Sequence, residues 1–205
     1  MNAAKLVGLA VLTYTIAGCA LFSREKAPSL FTLGASPENR SPATARAQAI
    51  LVAPPTARPG FESARMVYVT RAQEIRFFAR HEWVAPPAQM LAPLLTEALE
   101  RGGRFRAVRS TADVSSPFRL ETEIVALQQE FTVQPSVTRF ALRAQLVDIR
   151  ERRVLAAEEF ETTEPARSDD PYGGALAASQ AVARVLDQLA SWCDAHTPHS
   201  AVASK

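Results

Sequence analysis

Cysteine is scarce in this sequence of 205 residues, in which only Cys19 and Cys193 occur. Two cysteines cannot form the framework of several disulfides that stabilises many small secreted domains. Cys193 lies in a segment with helical periodicity, and we interpret it as a packed apolar thiol. Cys19 ends an apolar run near the N-terminus, where a different role is expected.

The sequence also lacks a glycine-rich phosphate-binding loop. Neither Gly102-Gly103 nor Gly173-Gly174 lies between a strand and the start of a helix, as such a loop requires. The charge is nearly balanced, with 23 Lys and Arg against 21 Asp and Glu, whereas nucleic acid binding usually requires a clustered positive field. We therefore expect no ATP site and no nucleic acid partner.

Histidine is too sparse to form a convincing catalytic or metal site, since the chain contains three. His81 lies in a predicted strand and is interpreted as an exposed strand residue, with an enzyme that uses His81 as the competing hypothesis. Cys193, His196 and His199 are three residues apart, but no fourth ligand at zinc-binding spacing accompanies them. We expect no catalytic residue, no metal and no cofactor.

The first eighteen residues have the three parts of a secretory signal. A short positive segment at 1–5 precedes an apolar run at 6–16, which is too short for the roughly 20 apolar residues that span a bilayer. Ile16-Ala17-Gly18-Cys19 is typical of a bacterial lipobox, because the peptidase needs small residues before its cut and a cysteine after it. The alternative is a buried N-terminal helix, but the order of the parts favours a signal at 1–18 and lipidation of Cys19.

A lipidated Cys19 would hold the mature protein on a membrane without a second membrane element. Its fatty chains exceed the two-signal threshold for stable anchoring, and no later apolar run approaches spanning length. Ala20 stands where Asp usually retains Gram-negative lipoproteins in the inner membrane. In a Gram-negative source, Ala20 therefore favours the outer membrane, facing the periplasm. Residues 19–29 are predicted to form a lipidated tether.

The remaining chain, about 185 residues, is long enough for one domain with a hydrophobic core. Alternating apolar residues and β-branched or aromatic runs predict strands. The predicted strands are 30–33, 49–53, 66–70, 74–83, 105–108, 118–131, 139–146 and 154–160. The third and fourth should pair as a hairpin that turns near 71–73. The last three, joined by short links, should form an antiparallel meander.

Two segments have helical periodicity. The first follows Pro86-Pro87 and ends at Gly102-Gly103. Its apolar stripe is Met90, Leu91, Leu94, Leu95, Ala98 and Leu99. The second is capped by Asp169 or Asp170, with Pro171 in its first turn. Its predicted apolar face is Leu176, Ala183, Leu186, Leu189, Ala190 and Cys193.

These elements predict the α+β class. We expect a single domain over residues 30–196, in which two long helices pack on one face of an antiparallel or mixed β-sheet. A loop should cover residues 34–47, which are polar and contain two prolines. Residues 197–205 are predicted to be a disordered tail.

Aromatic residues are concentrated in the predicted hairpin, at Tyr68, Phe77, Phe78 and Trp83. Core packing is the favoured interpretation, because aromatic side chains dominate core burial. The alternative is a contact surface or an apolar groove, since exposed Trp and Tyr are common in binding sites. Tyr68 and Trp83 are then the candidate partner-contact residues.

Several segments occur in an order that resembles a known family. Phe31-Thr32-Leu33 follows the anchor, a strand ends at Pro54-Pro55, and Arg65-Met66-Val67-Tyr68 comes next. His81-Glu82-Trp83-Val84-Ala85-Pro86 and a leucine-rich helix ending at Leu99 complete the pattern. The order resembles the ABC-type transport auxiliary lipoprotein family from about Leu30 to the last helix, and the resemblance is sharpest from Arg65 to Pro87.

The resemblance implies a non-enzymatic role beside ABC transporters that move lipids between the inner and outer membranes. The implied partners are a permease, an ATPase and a substrate-binding protein with an MCE domain. The lipoprotein would be the outer-membrane end of the path, and a homo-oligomeric ring is among the assemblies that the resemblance allows. The alternative function is a structural or regulatory envelope lipoprotein that binds a cell-wall enzyme or polymer.

Overall fold

The computed structural model describes residues 27–34, 47–108 and 116–198. The predictions for the signal segment, for Cys19, for most of the loop at 34–47 and for the tail from residue 199 lie outside these ranges. The described strands are β1 (Ser29–Phe31), β2 (Gln48–Val52), β3 (Thr56–Ala57), β4 (Arg65–Arg71), β5 (Glu74–Trp83), β6 (Phe105–Val108), β7 (Phe118–Glu130), β8 (Val137–Asp148) and β9 (Arg153–Pro165). The described helices are α1 (Pro87–Arg101) and α2 (Pro171–His196).

All nine described strands belong to one mixed sheet, with β7 at its centre. On one side β7 pairs antiparallel with β8, which pairs antiparallel with β9. On its other side β2, β3 and β4 follow one another along β7, each parallel to it. β6 extends the sheet beyond β2, and β5 and β1 extend it beyond β4. The predicted α+β class, meander and hairpin are confirmed.

A β-bulge in β7 limits how far the predicted alternation holds. The even-numbered residues from Phe118 to Ile124 are buried, as predicted. The register then shifts, so that Ile124 pairs with Leu142 but Ala126 pairs with Ala141. One extra residue reverses which side chains face each side of a sheet. From Leu127 onward the odd-numbered residues therefore face the helices.

The first helix follows the prediction closely. Pro87 occupies its first turn, and Gly103 after its end has a φ of 69°, a left-handed conformation that glycine adopts without strain. The predicted stripe is buried except for Leu94, which is half-buried. Arg101 Nη1 lies 2.5 Å from Asp187 Oδ1 of α2. This ion pair joins the two helices on the same face of the sheet.

The buried face of α2 differs from the predicted one. Gly174, Ala178, Ala181 and Val185 are buried against the sheet, because small side chains let the helix axis approach it closely. Leu176 follows Gly174 by two residues, or about 200° around the helix, and its side chain is 37% exposed. The prediction that Leu176 faces the core is therefore wrong. Leu186, Leu189 and Cys193 are buried as predicted.

Among the described residues, neither helix combines the length and the apolar character needed to cross a membrane.

Candidate functional site

Six aromatic side chains form a continuous row across the end of the domain that holds the start of α2. We call this set the aromatic row; its members in spatial order are Tyr172, Phe31, His81, Phe78, Tyr68 and Phe131. Successive ring centroids are separated by 6.5, 6.0, 6.0, 4.5 and 6.0 Å. The row runs from the first turn of α2, over β1 and β5, to β4 and the end of β7.

Strand pairing places the first half of the row. In the parallel pair of β1 and β5, Ser29 lies opposite His81 and Phe31 lies opposite Trp83. Residues that alternate along paired strands face the same side of the sheet. Phe31 and His81 are therefore diagonal neighbours on one face, and their rings are in contact.

A wide irregularity in the hairpin places the second half. Val67 pairs with Phe77, and Arg65 pairs with Glu82. Two steps along β4 thus correspond to five steps along β5. The extra residues bring both Phe78 and His81 toward Tyr68, although strict alternation would direct an even-numbered and an odd-numbered residue to opposite faces.

Tyr172, the member that lies on α2, is the most exposed side chain of the aromatic row. Five members are partly exposed, whereas Tyr172 is 61% exposed. Leu176 lies one helical turn after Tyr172, so the two side chains lie on the same side of α2. The row therefore continues as an apolar strip along the start of the helix.

A polar network fixes the first turn of α2 on the sheet. Asp170 Oδ1 accepts a hydrogen bond from Gly173 N at 2.7 Å, and Asp169 Oδ1 accepts one from Ser136 N at 2.7 Å. Thr138 Oγ1 donates to the carbonyl oxygen of Gly174 at 3.0 Å. The backbone bond from Ser136 lowers the pKa of Asp169, and that from Gly173 lowers the pKa of Asp170.

An ion pair lies beside the Tyr68 end of the aromatic row. Arg76 Nε donates to Glu74 Oε1 at 2.6 Å, and this bond is the largest cause of the lowered pKa of the Glu74 carboxyl. Arg76 lies opposite Tyr68 in the antiparallel pair of β4 and β5. The ring of Tyr68 therefore packs on Phe78 next to a charged side chain.

The two residues proposed as partner contacts have different environments. Tyr68 belongs to the partly exposed aromatic row. Trp83 is 4% exposed and belongs to the hydrophobic core, which leaves little of its ring for a partner to touch. Trp83 therefore fits the interpretation of the hairpin aromatics as core residues. Tyr68 fits the alternative interpretation, in which they lie at the surface.

His81 is also less exposed than the sequence indicated. It was interpreted as an exposed strand residue, but its ring is half-buried between Phe31 and Phe78. This correction follows from β1, which covers one side of β5 at His81.

The residues near the C-terminus of α2 are structural. Cys193 is fully buried, and burial raises the pKa of its thiol to about 12. His196 Nδ1 lies 2.8 Å from the carbonyl oxygen of Trp192. His199 lies outside the described residues. Within the described ranges, no three His, Cys, Asp or Glu side chains are grouped to hold a metal ion.

The sheet face opposite the helices carries interleaved charges. Glu123 lies 3.6 Å from Arg58 and 3.7 Å from Arg143, which also pairs with Glu159 at 2.9 Å. These groups are partly exposed, so each pair contributes little to stability. Because the signs alternate across strands, this part of the face presents no patch of a single charge.

Comparison with protein families identifies the domain. Residues 31–190 match the family described as the ABC-type transport auxiliary lipoprotein component. The chain belongs to this family. The resemblance inferred from the sequence is thus confirmed. The family is a transport auxiliary family and not a family of enzymes. A search of curated proteins found no significant match.

Solved structures share the fold of this auxiliary lipoprotein. A DUF330 family protein from Xanthomonas campestris is 24% identical, covers 83% of this chain and 100% of its own, and has a TM-score of 0.68. A hypothetical protein from Chlamydia trachomatis is 9% identical, covers 73% of this chain and 97% of its own, and has a TM-score of 0.53. At these identities the likeness establishes the fold alone.

The sequence revealed only part of the aromatic row. It singled out Tyr68 and Phe78 because both lie in one aromatic-rich hairpin. Phe31, Phe131 and Tyr172 are far away along the chain, and no local pattern marks Phe31 or Phe131 as members. For Tyr172 the one local signal is its place in the first turn of a helix, directly after the capping Asp170 and Pro171.

Proposed function

We propose that this protein is the lipid-anchored component of an ABC/MCE-type system that transports lipid between the two membranes of the envelope. In this role it docks a periplasmic MCE-domain substrate-binding protein at the outer membrane, and the permease and ATPase of the system act from the inner membrane. The observation that carries the proposal is the family match over residues 31–190. The role requires binding and positioning, and no catalysis by this chain.

The position of Cys19 supports the membrane side of this role. Cys19 follows a complete signal pattern and precedes the start of β1 at Ser29 by ten residues. Lipidation there would hold the folded domain close to the membrane surface. Ala20 after the cysteine is compatible with transfer to the outer membrane.

The Tyr68 end of the aromatic row supports the partner side. Tyr68 and Phe78 stack with ring centroids 4.5 Å apart, and both are partly exposed. Tyrosine supplies a large contact area at low entropic cost, and aromatic residues are enriched among residues that dominate binding energy. We assign the partner contact to this end of the row, and Trp83 to the core beneath the hairpin.

Co-purification from solubilised envelopes tests the proposal. Tagged full-length protein should recover an MCE-domain protein, and Tyr68→Ala should reduce that recovery about tenfold or more, as expected for the loss of an aromatic hot spot. Thr70→Ala is the matched control, because Thr70 is an exposed residue two positions further along β4 and should leave recovery unchanged.

Two results would contradict the proposal. If no MCE-domain protein were recovered with the unaltered chain, the transport role would lose its partner. If cell-wall synthesis enzymes were enriched instead, a structural or regulatory envelope lipoprotein would be the better description. Equal recovery with Tyr68→Ala and Thr70→Ala would move the contact away from Tyr68.

A further inference from the structure

The tether enters the domain beside the aromatic row. Ser29 is the first residue of β1 and lies opposite His81, and Phe31 two residues later is itself a member of the row. The described chain begins at Ala27, eight residues after Cys19. A fully extended chain advances about 3.5 Å per residue, so this stretch reaches at most about 28 Å.

That reach is short in relation to the domain. A folded domain of about 170 residues has a radius of gyration of about 15 Å, and its diameter therefore exceeds the contour length of the tether. The side of the domain at which the tether enters therefore stays within about 28 Å of the membrane that holds Cys19 and cannot turn fully away from it. This side contains the end of the aromatic row at Phe31 and Tyr172.

The surface at this end of the row is apolar and exposed. Tyr172 is 61% exposed and Leu176 37%, and Phe31 lies partly exposed beside Tyr172, with ring centroids 6.5 Å apart. We call these three residues the tether-side patch. Tyrosine is enriched at membrane interfaces because its ring is apolar and its hydroxyl can bind water or headgroups. The exposed Leu176 supplies apolar surface for the adjoining acyl region.

The tether-side patch is held rigidly. Asp170 caps the helix that carries Tyr172 and Leu176. Gly34 N, three residues after Phe31, donates to Ser179 Oγ of the same helix at 3.0 Å. The three side chains therefore keep their relative positions without help from a ligand. A preformed surface loses little conformational entropy when it binds.

The two carboxylates next to Tyr172 offer no electrostatic attraction to anionic headgroups. Asp169 and Asp170 precede Tyr172, and their carboxylates already accept hydrogen bonds from Ser136 N and Gly173 N. Apolar burial would therefore drive contact with a bilayer, and the contact should depend little on salt concentration.

We propose that the tether-side patch inserts shallowly into the bilayer interface beside lipidated Cys19. The domain then has a fixed orientation on the membrane, with the Tyr68 end of the aromatic row left accessible to a protein partner. This inference rests on the lipidation of Cys19 in the proposed function. Its occupant is the lipid surface itself, and no second protein is needed.

Quenching by labelled lipids in reconstituted vesicles tests the inference. Mature, lipidated protein carrying Gln180→Cys is labelled with a fluorophore and reconstituted with phosphatidylcholine that includes doxyl-labelled lipid. Gln180 is exposed and lies one turn beyond Leu176. Cys193 is fully buried and should not take up the label, and an acylated Cys19 has no free thiol.

Arg150→Cys provides the matched control position. Arg150 is exposed in the turn after β8, at the opposite end of this strand from Val137 and the start of α2. Twelve residues of strand separate the two ends by about 40 Å. The label at 180 should be quenched several-fold more than the label at 150. Tyr172→Ser combined with Leu176→Ser should remove most of this difference.

Other outcomes separate the two proposals. If the protein floats with the vesicles but both labels are quenched equally little, the domain hangs freely and the patch does not bind lipid. If the label at 180 is shielded from both lipid-borne and aqueous quenchers, another protein copy covers the patch, and the inference fails. If the protein does not float at all, the lipid anchor fails, and with it both the inference and the membrane part of the proposed function.

Discussion

Individual carboxylates decide how α2 is placed on the sheet. The sequence predicted that Asp169 or Asp170 caps the helix, because either residue precedes Pro171 suitably. In the structure Asp170 caps the helix through Gly173 N, whereas Asp169 crosses to Ser136 N at the end of the link between β7 and β8. The two neighbouring side chains thus have separate tasks, one within the helix and one between helix and sheet.

Substitution of Asp170 should show how much the helix cap contributes to the free energy of unfolding. Asp170→Ala should lower the free energy of unfolding by about 1 kcal/mol, since alanine cannot accept the bond from Gly173 N. Asp170→Asn should be close to neutral at pH 7, because asparagine caps helices about as well as aspartate. Urea denaturation followed by circular dichroism measures both values.

Comparison of the unaltered chain with Asp170→Ala gives a pH dependence of known sign. The pKa of Asp170 is lowered in the folded protein, so the stabilisation is complete above the unfolded value of about 3.9 and is lost as pH falls through the folded value. The advantage of the unaltered chain over Asp170→Ala should therefore shrink below about pH 4. An advantage that grows on acidification would contradict the assignment.

At the level of elements, α2 packs by its small residues. Its predicted face included Leu176 together with other apolar residues at helical spacing. The sheet instead receives Gly174, Ala178 and Ala181, which leaves Leu176 beside Tyr172 on the exposed side. Hydropathy alone could not distinguish a leucine that packs in the core from a leucine that belongs to an exposed apolar surface.

Gly173 provides a test of close packing between the first turn of α2 and the loop that precedes it. A methyl group added at Gly173 would overlap the backbone of Ser168, which cannot move as easily as a side chain. Gly173→Ala should therefore destabilise the domain by about 1–3 kcal/mol, the usual cost of overpacking. Midpoints of urea denaturation measure the change.

Gly102→Ala is the matched control for Gly173→Ala. Gly102 has a φ of −74°, and a methyl group there would meet no atom within 4 Å. This substitution should be neutral or stabilise by up to about 1 kcal/mol, because alanine restricts the unfolded chain. If both substitutions had the same effect, close contact at Gly173 would not be the cause.

At the scale of the whole molecule, membrane attachment and folding should be separable. The described domain is one sheet covered by two helices, and the core that the structure describes is formed by side chains of that sheet and those helices. The anchor at Cys19 would act only through the tether. The tether length and the position of Ser29 then determine which side of the domain faces the membrane.

Cys19→Ser should abolish membrane attachment and leave the domain folded. Serine cannot accept the lipid through a thioether, so the anchor would be absent, whereas the core is untouched. Fractionation of cell envelopes measures attachment, and resistance to limited proteolysis measures folding. A Cys19→Ser protein that stayed with the membrane fraction and kept full function would show that another element supplies the attachment.

The sequence by itself determined the elements and the fold class. Periodicity, proline and glycine positions and capping residues are local signals, so the hairpin, the meander, the extents of α1 and α2 and the burial of Cys193 could be predicted from neighbouring residues. The same local character supports the prediction of a signal segment and of lipidation at Cys19, and the order of the elements carried the family resemblance.

Only the tertiary structure decided which aromatic side chains share a surface. The aromatic row combines residues from β1, β4, β5, α2 and the segment after β7, and its assembly depends on the register of β1 against β5 and on the irregular pairing of β4 with β5. The bulge at Val125 likewise reversed the facing of the second half of β7. Such registers arise from contacts between distant segments, for which a single sequence contains no local pattern.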